Sequence, residues 1–519
     1  MRTQNAVKNI SMSLISQVII IILGFVSRKV FIDNLGAEYL GINGLLTNVL
    51  SMMVLIESGI GISIVYNLYK PLAENDRGKI TALVHLYKKA YGILTIIMLG
   101  MSIILYPLLG KFMKTDTVIP EMVIVYAIFV TKNIVSYLNA YKWALINADQ
   151  KGYLLARNNM IFQIITTIAK IFILKVTHNY LGFLFIELVI FIVQNMVNTY
   201  VVHKRYPYIR NKGRHKIDQD TKENINKNVK AMFFHNIGGY LVCSTDNILI
   251  STFIGVKIVG FYSNYTMVIS QLSALLGPIV GGIGAGVGNL IATEDNRKVY
   301  DVFKTTYLIS FWIYSFACIF LFNLLEPFIN WWIGEGFLLD KITFFIILIN
   351  FYLSGIRSVI GTFKSKAGLF VQDKYAPAVE GVINLGASLV LIKYFGLVGV
   401  FIGTTISTLA VPFWNQARIL YRELFDIPVR KFFIKYAVYT LIMLGTGWIT
   451  TGLCRIFTRG ESFISLVVRG MICVIVINVI YMLVFFRTRE FQYLMNVAKI
   501  QFKALQNKVV KYTQDKVMS

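Results

Sequence analysis

This chain is short of several things, and each scarcity excludes a class of function. Its 519 residues include four cysteines, nine prolines and 26 acidic side chains against 51 lysines and arginines. The cysteines (Cys243, Cys318, Cys454 and Cys473) all fall in apolar stretches, without paired spacing and with no histidine in metal-ligand register. Neither a disulfide framework nor a metal centre is expected. Polar segments are scarce too. The largest, residues 203–229, has the size of a linker, and the longest outer loop, about 326–341, is shorter still. Nothing of domain size remains outside the apolar stretches to present carboxylates to a substrate, so no catalytic residues are assigned and no enzyme activity is expected. The first apolar run is long and lacks a small-residue cleavage site, which makes it a first span rather than a signal peptide.

Hydrocarbon fills the chain instead. Hydrophobic residues make up 56% of it, and the mean hydropathy is +0.64. Fourteen apolar stretches between residues 10 and 486 reach membrane-spanning length, for which about 20 residues suffice. At such lengths only a helix satisfies its own backbone in lipid. The expected fold is therefore an all-α integral membrane protein of 14 transmembrane helices.

The positive charge is placed unevenly. With the N-terminus in the cytoplasm, the inner segments carry 37 lysines and arginines and the outer loops 11, with Lys132, Lys170 and Arg357 inside spans. That asymmetry puts both termini on the cytoplasmic side of the membrane. The net charge of +25 is thus spread over many short loops facing membrane lipids. Nucleic acid is not an expected partner, because no single domain gathers the charge.

The basic segment divides the chain into halves that resemble each other. Leu35-Gly36-Ala37-Glu38-Tyr39-Leu40-Gly41 matches Ile254-Gly255-Val256-Lys257-Ile258-Val259-Gly260 at an offset of 219 residues. Glu74-Asn75-Asp76-Arg77 matches Glu294-Asp295-Asn296-Arg297 at 220, and Tyr137-Leu138 with Lys142 matches Tyr352-Leu353 with Arg357 at 215. Two parallel repeats follow: a six-helix lobe over 1–202, the linker 203–229, and a six-helix lobe over 230–425. Helices 13 and 14 (426–486) lie outside the repeat, and a basic amphipathic tail occupies 487–519. Parallel repeats place a substrate site between lobes near the midplane.

Charges inside spans are costly and normally face a bundle interior or a wet cavity. Arg28, Lys29, Lys132 and Arg357 read as a cationic cavity for an anionic group, arginine being suited to bidentate pyrophosphate contact. Internal pairing with Glu57, Glu187 and Asp246 is the competing reading, and it applies most to Lys132 and Lys170. His235 and Asp246, eleven residues apart, share one helix face with about 20° of drift. Together with Glu187 they are candidates for H+ or Na+ coupling. The glycine run 281–288 has neither a preceding strand nor a following Lys-Ser/Thr, so it reads as helix packing rather than a phosphate loop.

Several segments carry a resemblance. Ser244-Thr245-Asp246-Asn247-Ile248-Leu249-Ile250-Ser251, Gly260-Phe261-Tyr262-Ser263-Asn264-Tyr265, Arg357 with Phe363-Lys364-Ser365-Lys366-Ala367-Gly368-Leu369-Phe370 and Asp373, and Asn384-Leu385 with Ser388 are similar to Wzx-like polysaccharide flippases. These belong to the multidrug/oligosaccharidyl-lipid/polysaccharide exporter superfamily. The resemblance implies movement of an undecaprenyl-pyrophosphate-linked oligosaccharide between leaflets by alternating access, for capsule or exopolysaccharide synthesis. A polymerase and glycosyltransferases would be partners. A lipid-linked peptidoglycan-precursor flippase and a drug or cation antiporter remain alternatives.

Overall fold

The computed structural model describes residues 2–51, 60–114, 121–210, 244–369, 372–458 and 462–496, with residues 57, 217, 219, 223, 240, 242 and 460 between them and residue 499 after them. Helices account for nearly all of these. The long ones are α1 (Arg2–Ser51), α2 (Ile60–Glu74), α3 (Arg77–Leu105), α4 (Met122–Ala148), α5 (Tyr153–Thr177), α6 (Tyr180–Arg205), α7 (Asp246–Phe253) and α8 (Val256–Thr293). They continue with α9 (Asn296–Trp332), α10 (Lys341–Lys366), α11 (Ala376–Phe395), α12 (Leu397–Ala410), α13 (Pro412–Leu420), α14 (Arg430–Phe457) and α15 (Phe463–Phe485). Among the described residues, eleven helices are long and apolar enough to cross a membrane. The other expected spans are 40–66 and 232–254, which include residues outside the described set, and 258–290, through which α8 runs.

Two compact units make up the chain: Met1–Thr266 with Tyr375–Ile406, and Met267–Lys374 with Ser407–Ser519. In the first, α1 packs along α5, α5 along α6, and α4 against both α3 and α6. The repeat leaves clear marks on it. Gly36 bends α1 at a φ of 82°, and its repeat mate Gly255, just before α8, has a φ of 147°. Both lie in the left-handed region that glycine adopts without a Cβ penalty. The matched loops also cap the helices that follow them: Asp76 accepts from the Lys79 amide at 2.9 Å, and Asp295 from the Lys298 amide at 3.1 Å.

The closest backbone approach in this unit is reciprocal. A methyl group on Gly41 would overlap the Val256 carbonyl, and one on Gly260 would overlap the Ala37 carbonyl. At the 219-residue offset Gly41 corresponds to Gly260, and Ala37 to Val256. The second segment of α1 and the first turn of α8 therefore cross with a local two-fold relation. Each helix presents a small residue to the other's backbone.

The second unit is held by aromatic rings. Phe311 lies 4.4 Å from Tyr439 and 5.3 Å from Tyr481, and Tyr307 stacks on Tyr439 at 5.5 Å. These contacts bind α14 and α15 to α9. The Trp312 indole donates to Asn478 at 2.8 Å, and the Tyr481 hydroxyl to Ser315 at 2.8 Å. The chain after α15 is fixed here as well: Lys435 donates to Glu490 at 2.8 Å, and Phe491 stacks on Trp312. A helical turn begins within the expected tail, whose residues beyond 499 lie outside the described set.

Two expectations follow. Gly41→Ala and Gly260→Ala should each destabilise the protein by roughly 1–3 kcal/mol, the scale of overpacking a tight contact. In detergent the unfolding midpoint should then fall by about 1–3 °C, and unchanged midpoints would mean the two backbones separate freely. The second concerns Glu490. Burial pushes its carboxyl up, but the hydrogen bond and charge of Lys435 outweigh this and hold it below the ordinary range. A depressed carboxylate stabilises above its unfolded pKa of about 4.3 and loses that contribution as pH falls through the folded value. Amide-exchange protection of 488–496 should therefore drop as the pH is lowered below about 4, and Glu490→Gln should make it low at every pH.

Candidate functional site

Ser263 and Asn264 stand on α8 one turn beyond the Gly260 crossing, which sets their distance from α1. Arg28, two turns before the Gly36 bend, donates from Nη1 to Ser263 Oγ at 2.8 Å and to Asn264 Oδ1 at 3.3 Å. Its guanidinium is half-buried, and no carboxylate pairs with it among the described residues. Five N–H donors project from such a group, so two neutral acceptors leave both charge and hydrogen-bonding capacity available. Lys29, next in sequence, is engaged differently. It pairs with Asp33 at 2.9 Å on a partly exposed surface, where such pairs contribute little.

Asp246 opens α7 and is buried, with its Oδ1 atom lacking a hydrogen-bond partner among the described residues. The residues before it are tied to α1: the Tyr240 hydroxyl donates to the Asn48 carbonyl at 2.9 Å, and Asn48 Nδ2 to the Ser244 carbonyl at 3.4 Å. The proposed companion of Asp246, His235, lies outside the described residues. Arg28 and Asp246 hold adjacent repeat positions, since Ser27 maps to Asp246 and Arg28 to Asn247.

Lys132, Lys170 and Glu187 come together. Lys132 pairs with one carboxylate oxygen of Glu187, and Lys170 with the other at 2.5 Å. The Lys170 ammonium also sits 4.2 Å over the Phe183 ring, a favourable cation–π geometry. Two cations sharing one anion leave a net charge of +1, held by α4, α5 and α6. Each lysine already has a partner, which gives the triad a bracing role whatever else it touches. Glu57 accepts from the Tyr91 hydroxyl, and the buried Lys142 donates to Asn139 at 2.6 Å and Thr199 at 3.0 Å.

Arg357 belongs to the second unit, half-buried on α10. Two residues earlier Gly355 lies flat against the Tyr314 ring, where a methyl group would overlap the aromatic carbons. The signature segment that follows is closed by the buried ion pair of Lys364 with Asp373, which ties the end of α10 to the loop after it. An apolar groove of about 860 Å³ lies among α9, α10 and α14, lined by Phe322, Leu348, Met443, Leu444 and Trp448. Its surface chemistry suits an extended hydrocarbon chain.

Comparison with known proteins fits this geometry. The family model described as polysaccharide biosynthesis protein matches residues 6–283. A search of curated protein sequences finds no match. Among solved structures, the lipid II flippase MurJ in an inward closed conformation aligns with a TM-score of 0.67 at 14% identity, covering 92% of this chain and 99% of that one. An inward-facing multidrug resistance MATE family transporter of the MOP superfamily aligns with a TM-score of 0.55 at 13% identity, covering 77% and 94%. A MOP superfamily transporter from Pyrococcus furiosus, described as having a binding pocket of reverse polarity, aligns at 0.52 and 12% identity, covering 78% and 94%. At such identities these likenesses establish the fold, and the family model, matching more than half of the residues, establishes kinship: the chain is a multi-pass membrane protein that belongs to the polysaccharide biosynthesis protein family.

Proposed function

We propose that this protein is a flippase that moves an undecaprenyl-pyrophosphate-linked oligosaccharide from the inner to the outer leaflet of a bacterial cytoplasmic membrane by alternating access. The glycan would come from glycosyltransferases on the cytoplasmic face and pass to a polymerase making capsule or exopolysaccharide. The carrying observation is Arg28, a half-buried guanidinium whose partners, Ser263 and Asn264, are both neutral. A buried cation without a counter-ion is unfavourable until an anion supplies one. Pyrophosphate offers the planar, bidentate acceptors that arginine matches. A cationic drug would meet the wrong sign of charge there. Lys29 adjoins Arg28 in sequence, Lys132 stands within the Glu187 triad, and Arg357 is a half-buried cation of the second unit.

Asp246 is the group of choice for coupling to H+ or Na+. A buried carboxylate with an unpartnered oxygen gains from a proton or a small cation in a way that the already paired Glu187 does not.

The test is leaflet transfer in proteoliposomes. A fluorescent polyprenyl-pyrophosphate oligosaccharide is quenched from outside by an impermeant reagent, in wild-type, Arg28→Ala and empty vesicles. Wild-type vesicles should transfer and Arg28→Ala should lose about tenfold or more, since a hydrogen bond to a charged group contributes roughly 1.5–3 kcal/mol. Transfer no faster than in empty vesicles would remove the proposal. Lipid-linked peptidoglycan precursor in the same assay separates the two glycan classes. Asp246→Asn should abolish dependence on an imposed ion gradient while leaving substrate binding intact; gradient dependence equal to wild type would exclude Asp246 as the coupling group.

A further inference from the structure

A second cavity lies wholly within the first unit, among α4, α5 and α6, and its chemistry differs from that of Arg28. It encloses about 560 Å³, within the range of roughly 300–1,000 Å³ typical of small-molecule sites. Its walls are three stripes at helical spacing. On α6, Phe191, Gln194, Asn195 and Asn198 follow the i, i+3, i+4, i+7 pattern of one face; Asn159 faces them from α5, and Trp143 and Asn147 from α4. Five carboxamides thus converge on helices that are otherwise largely apolar. Further along α5, the outward positions Ile161, Ile165, Ile168 and Phe172 are all exposed and apolar. Amides on a spanning helix are unfavourable against lipid and face a wet cavity or a ligand.

The amides are ordered by one another. Gln194 Nε2 donates to Asn159 Oδ1 at 2.8 Å, Asn198 Nδ2 to the same oxygen at 2.9 Å, and Asn158 Nδ2 to Asn198 Oδ1 at 3.2 Å. Asn158, Asn195 and Asn198 are buried. The ladder saturates Asn159 Oδ1, while the Asn159 amino group and the Asn147 carboxamide have no side-chain partner among the described residues. Trp143 and Phe191 add two flat apolar faces. No charged side chain lines the cavity. The charged groups around it are partnered: the Lys132–Glu187–Lys170 triad one turn along α4 and α6, Lys142 on Asn139 and Thr199, and Asp149 with Lys151 at the α4–α5 turn.

Fixed amide donors and acceptors, aromatic faces and no charge make a complement to a pyranose ring, which has hydroxyls at its rim and C–H groups on its faces. We infer that the α4–α5–α6 cavity is a binding site for a neutral sugar, distinct in chemistry from the cationic position at Arg28. The choice of a sugar as cargo rests on the reading of the protein as a glycan carrier; the cavity's preference for a neutral, hydroxyl-rich group does not. Asn147 and Gly152 flank the α4–α5 turn, which the positive-inside assignment puts at the cytoplasmic end, the side on which a lipid-linked glycan is loaded.

The experiment uses full-length protein in phosphatidylglycerol nanodiscs, with saturation-transfer NMR of methyl glycosides of glucose, galactose and N-acetylglucosamine. At least one glycoside should receive saturation beyond that in empty nanodiscs. The signal should fall at least fivefold in Asn159→Ala and in Trp143→Ala, and glucose 1-phosphate should give at least fivefold less. Unfolding midpoints check both variants. A readout that leaves the amide ladder intact is Ser136→Cys, at another lining position, with the four native cysteines replaced by alanine; the bound glycoside should slow its alkylation. Displacement by a diglycosyl diacylglycerol would assign the site to a membrane glycolipid, and displacement by a polyprenyl-pyrophosphate oligosaccharide to the carried glycan. No signal with any glycoside, or equal signals in wild type and both variants with unhindered alkylation, would overturn the inference. Sugar binding without leaflet transfer would remove the flippase reading and leave this site. Wild-type transfer with no sugar bound would do the reverse.

Discussion

The contact on which the first unit depends is the crossing of two backbones with no side chain between them. Gly41 admits the Val256 carbonyl and Gly260 admits the Ala37 carbonyl, so α1 and α8 meet at a distance that any Cβ would prevent. Dispersion and close packing, rather than hydrophobic exclusion, drive helix association in lipid, which gives such small-residue contacts their weight. What lies a turn or two away inherits its position from them. Ser263 and Asn264 reach Arg28 because α8 leaves the crossing against α1, and the two left-handed glycines set the angles at which the chain enters it.

Around that frame the in-span charges fall into two kinds. Lys132 and Lys170 share Glu187, Lys364 holds Asp373, and Lys142 is satisfied by an amide and a hydroxyl. These groups meet their desolvation cost within the protein and fix helices to one another. Arg28 and Asp246 are different. One is a cation with neutral partners, the other a buried carboxylate with an open oxygen. Under the proposed function such groups are left unfinished because substrate or ion then completes them.

Much of this was legible in the residues. Apolar length and the placement of basic residues pointed to a helical membrane protein, and the offset of 219 paired the two glycines that the structure sets at the crossing. The motif at 244–251 and 260–265 pointed to the family that the comparisons establish. Other features were not legible, for physical reasons. Helical periodicity tells which face a residue occupies but not which helix lies opposite, so the pairing of Lys132 and Lys170 on one carboxylate stood only as an alternative. The turn between the expected spans 10–31 and 40–66 could be placed only as a short loop, which the structure narrows to a non-helical Gly36. The amide cavity was missed because the search for costly groups in spans followed formal charge. Asn159, Gln194, Asn195 and Asn198 carry none, yet their spacing on α5 and α6 was the available signal.

The reciprocal crossing also bears on ancestry. When position i of one segment touches position j of another, and j of the first touches i of the second, the pattern is that of an isologous interface between two identical chains. In this protein the same relation holds between two stretches of one chain, 219 residues apart. A half-length chain carrying one such segment could make the same contact with a second copy of itself. Neither glycine can gain a side chain alone, because each segment's backbone occupies the space that the other's missing side chain leaves.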